Sequence, residues 1–216
     1  MPGDGGAGYA ATVLKVGLTG GIACGKSLVA GFFTKRGVPV VNDDHAAHDA
    51  VAKGSAGLAA VVREFGADVL LPDDSLDRPK LGRIVFADDA RRRHLMVTTF
   101  PFIGALLKER FDAAERSGAP MMVYESALLI ENGGHESWRP IVVVRIDERQ
   151  QIERLCARNQ LSLADATARI RSQMPIASKA ELADHVIENG GSPDDTERQF
   201  DALYASLLAR AGSVQA

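Results

Sequence analysis

The chain has 216 residues, 46% of them hydrophobic, enough for one globular unit of the larger single-domain kind with room for inserted subdomains. A formal net charge of −3 gives no average field that would draw a nucleic-acid backbone, although a local basic pocket for phosphorylated small molecules fits it well. Two distant cysteines, Cys24 and Cys156, argue against a disulfide framework, and no apolar run approaches the length of a membrane span.

The opening stretch 1–11, rich in glycine and lacking a basic n-region, reads as a disordered leader and not as a secretion signal. These features predict a cytoplasmic protein with no nucleic-acid or membrane partner. Four short apolar runs then read as buried parallel strands: Val13–Leu18, Val38–Val41, Met121–Tyr124 and Ile141–Ile146. His185–Ile187 is a weaker fifth.

Helical stretches fall between the strands, as an α/β layer demands. Ser27–Lys35 closes at Gly37. Ala46–Phe65 is helical with an interruption at Gly54-Ser55, and Ala90–Glu115 is periodic but broken near Pro101. Pro72–Pro79 is turn-rich. Glu148–Arg158 is a polar helix, and Ser162 with Asp165 forms a capping box for the next one. Ser192-Pro193-Asp194-Asp195 starts the last helix with a cap, a proline and two acids. The region 45–118 is longer than a crossover needs, which predicts a helical substrate domain. The charged stretch 147–180 is a candidate lid. The core is left as 12–44, 119–146 and 181–216.

Between the first strand and the first helix lies Gly20-Gly21-Ile22-Ala23-Cys24-Gly25-Lys26-Ser27, followed by Leu28. This is G-x-x-x-x-G-K-S in a strand–loop–helix setting, the pattern that cradles nucleotide phosphates. The glycines let backbone N–H groups converge on a phosphate, and the helix adds the positive end of its dipole. Lys26 can reach the β- and γ-phosphates, and Ser27 can offer a hydroxyl to Mg²⁺. Cys24, beside Lys26 and a helix N-terminus, is either a small filler or a thiol of lowered pKa that would make the protein sensitive to oxidation.

Acidic groups end two strands. In an extended Asn42-Asp43-Asp44, Asn42 and Asp44 share one face and Asp43 takes the other. Asp44 can then accept a hydroxyl proton from a substrate, or cap the helix that follows. Glu125, at the end of the third strand, can organise Mg²⁺ beside the loop, or is simply a surface acid. On the helix Glu148–Arg158, Gln151, Arg154 and Arg158 form one stripe. The two arginines either offset charge on a transferring phosphate or belong to a solvated face. Lys179 is a weaker cationic candidate, and Glu131 an unassigned acid.

With these motifs in place, the chain from Val16 to about residue 208 resembles the dephospho-coenzyme A kinase family. The resemblance rests on G-L-T-G-G-I…G-K-S at Gly17–Ser27, V-V-N-D-D at Val40–Asp44 and L-D-R-x-x-L-G-x-I-V-F at Leu76–Phe86. It continues through L-L-x-E at Leu128–Glu131, Q-x-x-R-x-x-x-R from Gln151, R-I-x-x-Q-M-P from Arg169 and A-D-x-V-I-x-N-x-G ending at Gly191. It implies a P-loop kinase fold of the α/β class: a five-stranded parallel sheet, a helical substrate-binding domain and a lid. The implied reaction moves the γ-phosphate of ATP, with Mg²⁺, to the ribose 3′-hydroxyl of dephospho-coenzyme A. The product is coenzyme A, made by a monomer or weak homo-oligomer.

Carried over, Asp44 matches the base, Lys26 and Ser27 the nucleotide and metal site, and Arg158 the lid arginine. Asn189 and Gly191 match a late motif near the adenine side. Departures include Ala23-Cys24 for the usual Gly-Ser, Leu28 for Thr, Asn42 for Asp and Phe100 for His. Asn42 removes a charge from the catalytic face and keeps a polar group of the same shape. A different P-loop small-molecule or nucleoside kinase, or a nucleotide-binding regulatory relative, are the alternatives.

Overall fold

The computed structural model describes residues 13–214. The expected leader at 1–11 lies outside the described residues. The chain divides into two compact units: Val41–Ala113, and the segments on either side of it.

The flanking segments supply the first, third, fourth and fifth strands of one sheet, and the second strand begins at the boundary between the two units. Strands β1 (Leu14–Gly20), β2 (Val40–Asn42), β3 (Met121–Glu125), β4 (Ile141–Arg145) and β5 (His185–Glu188) lie in the order β2-β3-β1-β4-β5. The pairings of β1 with β3, β1 with β4, and β4 with β5 are all parallel. Helices must then cover both faces, which explains why Met121–Val123 and Ile141–Val144 are buried in unbroken runs. Leu18 sits opposite both Glu125 and Val142, so β1 is the centre from which the strand order runs outward in two directions. In such sheets ligands bind beyond the carboxyl ends of the strands at that switch point.

Helix α1 (Lys26–Lys35) and the C-terminal α9 (Pro193–Val214) pack together on this sheet through Phe33 and Phe200, whose rings meet edge to face at 4.7 Å. The Arg36 guanidinium lies 4.7 Å from the centre of the Phe200 ring. Ser192 and Asp195 exchange hydrogen bonds at the start of α9, as the sequence predicts. Between β4 and β5 come α6 (Glu148–Asn159), α7 (Leu163–Arg171) and the short α8 (Ile176–Glu181). Ser162 caps α7 by accepting from the Asp165 N–H at 3.1 Å.

The unit Val41–Ala113 is helical: α2 (Asp43–Ala50), α3 (Ala56–Phe65), α4 (Arg78–Ala87) and most of α5 (Asp89–Arg116). Val51, Val61, Val69, Leu81 and Val85 form its core. A cavity of about 270 Å³ opens among Ala47, Leu76, Arg78, Leu81 and Thr99.

Three expectations are corrected here. Helix α5 runs through Pro101 without ending. The proline removes one N–H and crowds one carbonyl, a local cost that a long helix with an exposed proline absorbs. The turn-rich segment at 72–79 gives way to α4 before it ends, because Asp77 caps by accepting from the Lys80 N–H at 2.9 Å. The extended run at Asn42-Asp43-Asp44 stops at Asn42. Its side chain accepts from the His45 N–H at 2.8 Å and makes it the N-cap of α2. Asp43 and Asp44 are therefore first-turn helical acids, and the alternation that paired Asn42 with Asp44 does not apply.

Candidate active site

The phosphate loop is shaped by its ends. Gly20 closes β1, and Gly25 is the N-cap of α1 at φ 88°, a left-handed conformation that an L side chain adopts only with strain. A Cβ on Gly25 would also fall 2.0 Å from Asn189 Nδ2. Ala23 holds φ 62°, so two left-handed residues wrap the loop into a concave arc of backbone. Leu28 donates its N–H to Gly25 O at 3.0 Å and continues the helix.

The N-terminus of α1 differs from most of the other helices, and shares its lack of a side-chain cap with the six-residue α8. Helices α2, α3, α4, α6 and α7 are capped by Asn42, Ser55, Asp77, Asp147 and Ser162. Helix α1 has no side-chain cap and no acid in its first turn. Its first N–H groups and its dipole are thus presented to an anion instead of to its own side chains. Lys26 and Ser27 are the first two residues of that helix.

Glu125 ends β3 and is 5% exposed. Its Oε1 accepts from Ser27 Oγ at 3.3 Å, so the two predicted metal-site residues meet. Hydroxyl and carboxylate are hard oxygen donors. So small a protein set suits Mg²⁺, which keeps its waters and takes further ligands from phosphates.

Arg154 and Asn189 also meet the loop's surroundings. Arg154 Nη2 donates to Asn189 O at 2.9 Å, and Asn189 Nδ2 donates to Cys24 O at 2.8 Å. Gly191 lies just before α9, beside Asp195. Arg158 is exposed, and its Nε donates to Asn159 Oδ1 at 2.9 Å, along its own helix rather than toward the loop. Asp44, in the helical unit, is exposed in the first turn of α2, where a carboxylate complements the helix dipole.

Of the two readings of Cys24, the structure favours the small filler. It is fully buried, and burial pushes its pKa up despite the lowering fields of Lys26 and Lys179. Desolvation disfavours the thiolate more than those charges and backbone hydrogen bonds favour it. Cys24 therefore fills the loop as a small apolar group.

Two features went unread in the sequence. Gln151 and Gln173 both bind the backbone of Ile22: Gln151 Nε2 donates to Ile22 O at 2.9 Å, and Ile22 N donates to Gln173 Oε1 at 2.8 Å. Lys179 is fully buried, donating to Ala127 O at 2.7 Å and pairing with Glu131 at 2.8 Å. Both glutamines stand within the motifs Q-x-x-R and R-I-x-x-Q-M-P. Their spacing from those motifs' arginines was the one available signal.

A family model described as dephospho-CoA kinase matches residues 14–195. A dephospho-CoA kinase of Arabidopsis thaliana is 44% identical over 89% of this chain and 83% of its own. One from Geobacter sulfurreducens is 40% identical over 88% and 96%. Among solved structures, a dephospho-CoA kinase from Campylobacter jejuni superposes with a TM-score of 0.67 at 26% identity, covering 90% of this chain and 96% of the other. A Thermus thermophilus crystal structure reaches a TM-score of 0.75 at 32% identity, covering 90% and 98%. An uncapped phosphate loop on a parallel sheet is common to many kinases, but agreement over nearly the whole length is specific, and this chain belongs to the dephospho-CoA kinase family.

Proposed function

We propose that this protein transfers the γ-phosphate of ATP to the ribose 3′-hydroxyl of dephospho-coenzyme A, releasing coenzyme A and ADP. The observation that carries the reading is the uncapped start of α1, with Ser27 hydrogen-bonded to buried Glu125, in a chain matched to this family over residues 14–195.

Each residue then has a task. The loop from Gly20 to Leu28 surrounds the phosphates with backbone N–H groups, and Lys26 neutralises the β- and γ-oxygens. Ser27 and Glu125 would hold Mg²⁺, which supplies positive charge against the phosphate oxygens. Arg154 and Arg158, on α6, stabilise charge on the transferring group, and the segment 147–180 that carries them serves as the lid. Asp44 accepts the 3′-hydroxyl proton as that oxygen bonds to the γ-phosphorus. The bond from the γ-phosphorus to the bridging oxygen breaks, and ADP leaves. Asn189 and Gly191 border the nucleotide. The helical unit, with its cavity of about 270 Å³, receives dephospho-coenzyme A. No described helix is long and apolar enough to cross a membrane, and a cytoplasmic setting fits a substrate of this kind.

The test is ADP release with Mg²⁺ and ATP, with and without dephospho-coenzyme A, and mass spectrometry of the product. Release should require the acceptor, and the product should gain one phosphate. Transfer to nucleosides and none to dephospho-coenzyme A would overturn the proposal. Asp44→Asn should lower turnover by about 10²–10⁴-fold with ATP affinity largely kept. A variant with near-parent turnover would remove Asp44 from the base role.

A further inference from the structure

A phosphate loop has a polarity problem. Its N–H groups converge on the ligand, so carbonyls turn back into the protein, where they need donors. Side-chain amides from distant elements supply them here. Gln151, 2% exposed on α6, donates to Ile22 O, and Asn189, 5% exposed after β5, donates to Cys24 O. Ile22 is gripped a second time, because its N–H donates to Gln173 Oε1. The amide orientations follow from chemistry alone: an N–H must meet the oxygen of Gln173, and a carbonyl must meet the nitrogen of Gln151.

Each brace is itself held. A Cβ at position 21 would lie 2.4 Å from Gln151 Nε2, so Gly21 leaves the space that the amide occupies. Thr196 Oγ1 donates to Asn189 Oδ1 at 2.8 Å. Next to Gln173, the Met174 N–H donates to Glu131 Oε1 at 3.1 Å, and the same oxygen pairs with buried Lys179. The Ile22 peptide groups are thus tied to α6 on one side and to the segment before α8 on the other.

We propose that Gln151 and Gln173 are positioning residues for the nucleotide. They set the backbone of Ile22 so that the loop is preformed for phosphate, acting through the loop and not by touching the reacting atoms. The inference rests on the reading of Gly20–Ser27 as the nucleotide site. It makes the two glutamines opposite in polarity: position 173 needs an acceptor, and position 151 needs a donor.

The experiment compares Gln151→Met, Gln151→Glu, Gln173→Met and Gln173→Glu with the parent. Readouts are calorimetric affinity for ATP with Mg²⁺, KM for each substrate and thermal unfolding without ligand. Both Gln151 variants and Gln173→Met should weaken ATP binding about tenfold, with KM for dephospho-coenzyme A within about twofold of parent. Gln173→Glu keeps the acceptor and should stay within about threefold. ATP affinity unchanged in both Met variants, KM rising equally for both substrates, or Gln173→Glu weaker than Gln173→Met would each overturn the proposal. Gln173 is half-buried, so its Met and Glu pair decides the matter even if the Gln151 variants fail to fold. A parent that binds no ATP would defeat the nucleotide-site reading and this inference with it; a parent that binds beside unaffected variants would defeat the inference alone.

Discussion

The phosphate-loop unit and the helical unit Val41–Ala113 are stabilised in different ways. Around the loop, polar groups are buried and partnered: Gln151, Asn189, Lys179 and Thr196 are all below the surface, each with at least one hydrogen-bond partner. The helical unit relies on a small aliphatic core, with its charges outside. It also exposes large apolar side chains, Phe86 at 84% and Phe100 at 73%. A charged, invariant ligand portion such as a polyphosphate is best met by a fixed backbone. A less charged ligand portion is better met by shape and apolar surface. The difference teaches that one unit gains precision from satisfied polar contacts, and the other gains tolerance from apolar ones.

That contrast can be broken by substitution. The largest effect is expected at Lys179→Met, which takes the donor from Ala127 O and the cation from Glu131, a carboxylate that keeps the Met174 N–H and reaches solvent, and should cost about 3 kcal/mol in urea unfolding, the upper end for a buried carbonyl left without a donor. A loss below about 1 kcal/mol would deny the buried polar network its stabilising role. In the helical unit, Val61→Ala removes fully buried methyl groups and should cost about 2 kcal/mol, with nucleotide affinity unchanged. If ATP affinity falls with it, the two units are not energetically separable.

Cys24 tests the polar side more gently. Its folded pKa is raised above the ordinary 9.0, so the protonated thiol's contribution is complete below that value. It is lost as pH rises from there through the folded pKa. Cys24→Ala should therefore flatten the stability profile above about pH 9, and alkylation of native parent protein at pH 8 should modify Cys156 far faster than Cys24. Equal modification of both would restore the reactive-thiol expectation. Asn42→Asp comes last: both residues cap well, so stability should move by less than about 0.5 kcal/mol. If a carboxylate at that position serves catalysis, turnover should rise about threefold.

Much of this was legible in the sequence because it is local. The strand before Gly20, the glycine at 25, the capping box at Ser162 and the start of α9 are each decided by a few neighbouring residues. Asp44 was misplaced in orientation because Asn42 can end a strand or cap a helix, and three residues of context do not decide between them. Pro101 reads as a break because its local cost is visible in sequence, while the length of α5 that absorbs it is a tertiary matter. Gln151 and Gln173 reach Ile22 across more than a hundred residues, and no periodicity records such a pairing. Lys179 reads in sequence as a weaker cationic candidate beside the lid arginines because nothing nearby announces Glu131 or the Ala127 carbonyl.

The strand order carries a consequence for synthesis. Strand β1 is the first to leave the ribosome, yet its partners β3 and β4 begin at Met121 and Ile141. The loop's amides arrive later still, with Gln151, Gln173 and finally Asn189. A nascent chain therefore carries the G-x-x-x-x-G-K-S sequence through at least the synthesis of residues 28–188 before every one of these amides is present. The loop's carbonyls gain their full set of side-chain donors only once Asn189 has emerged.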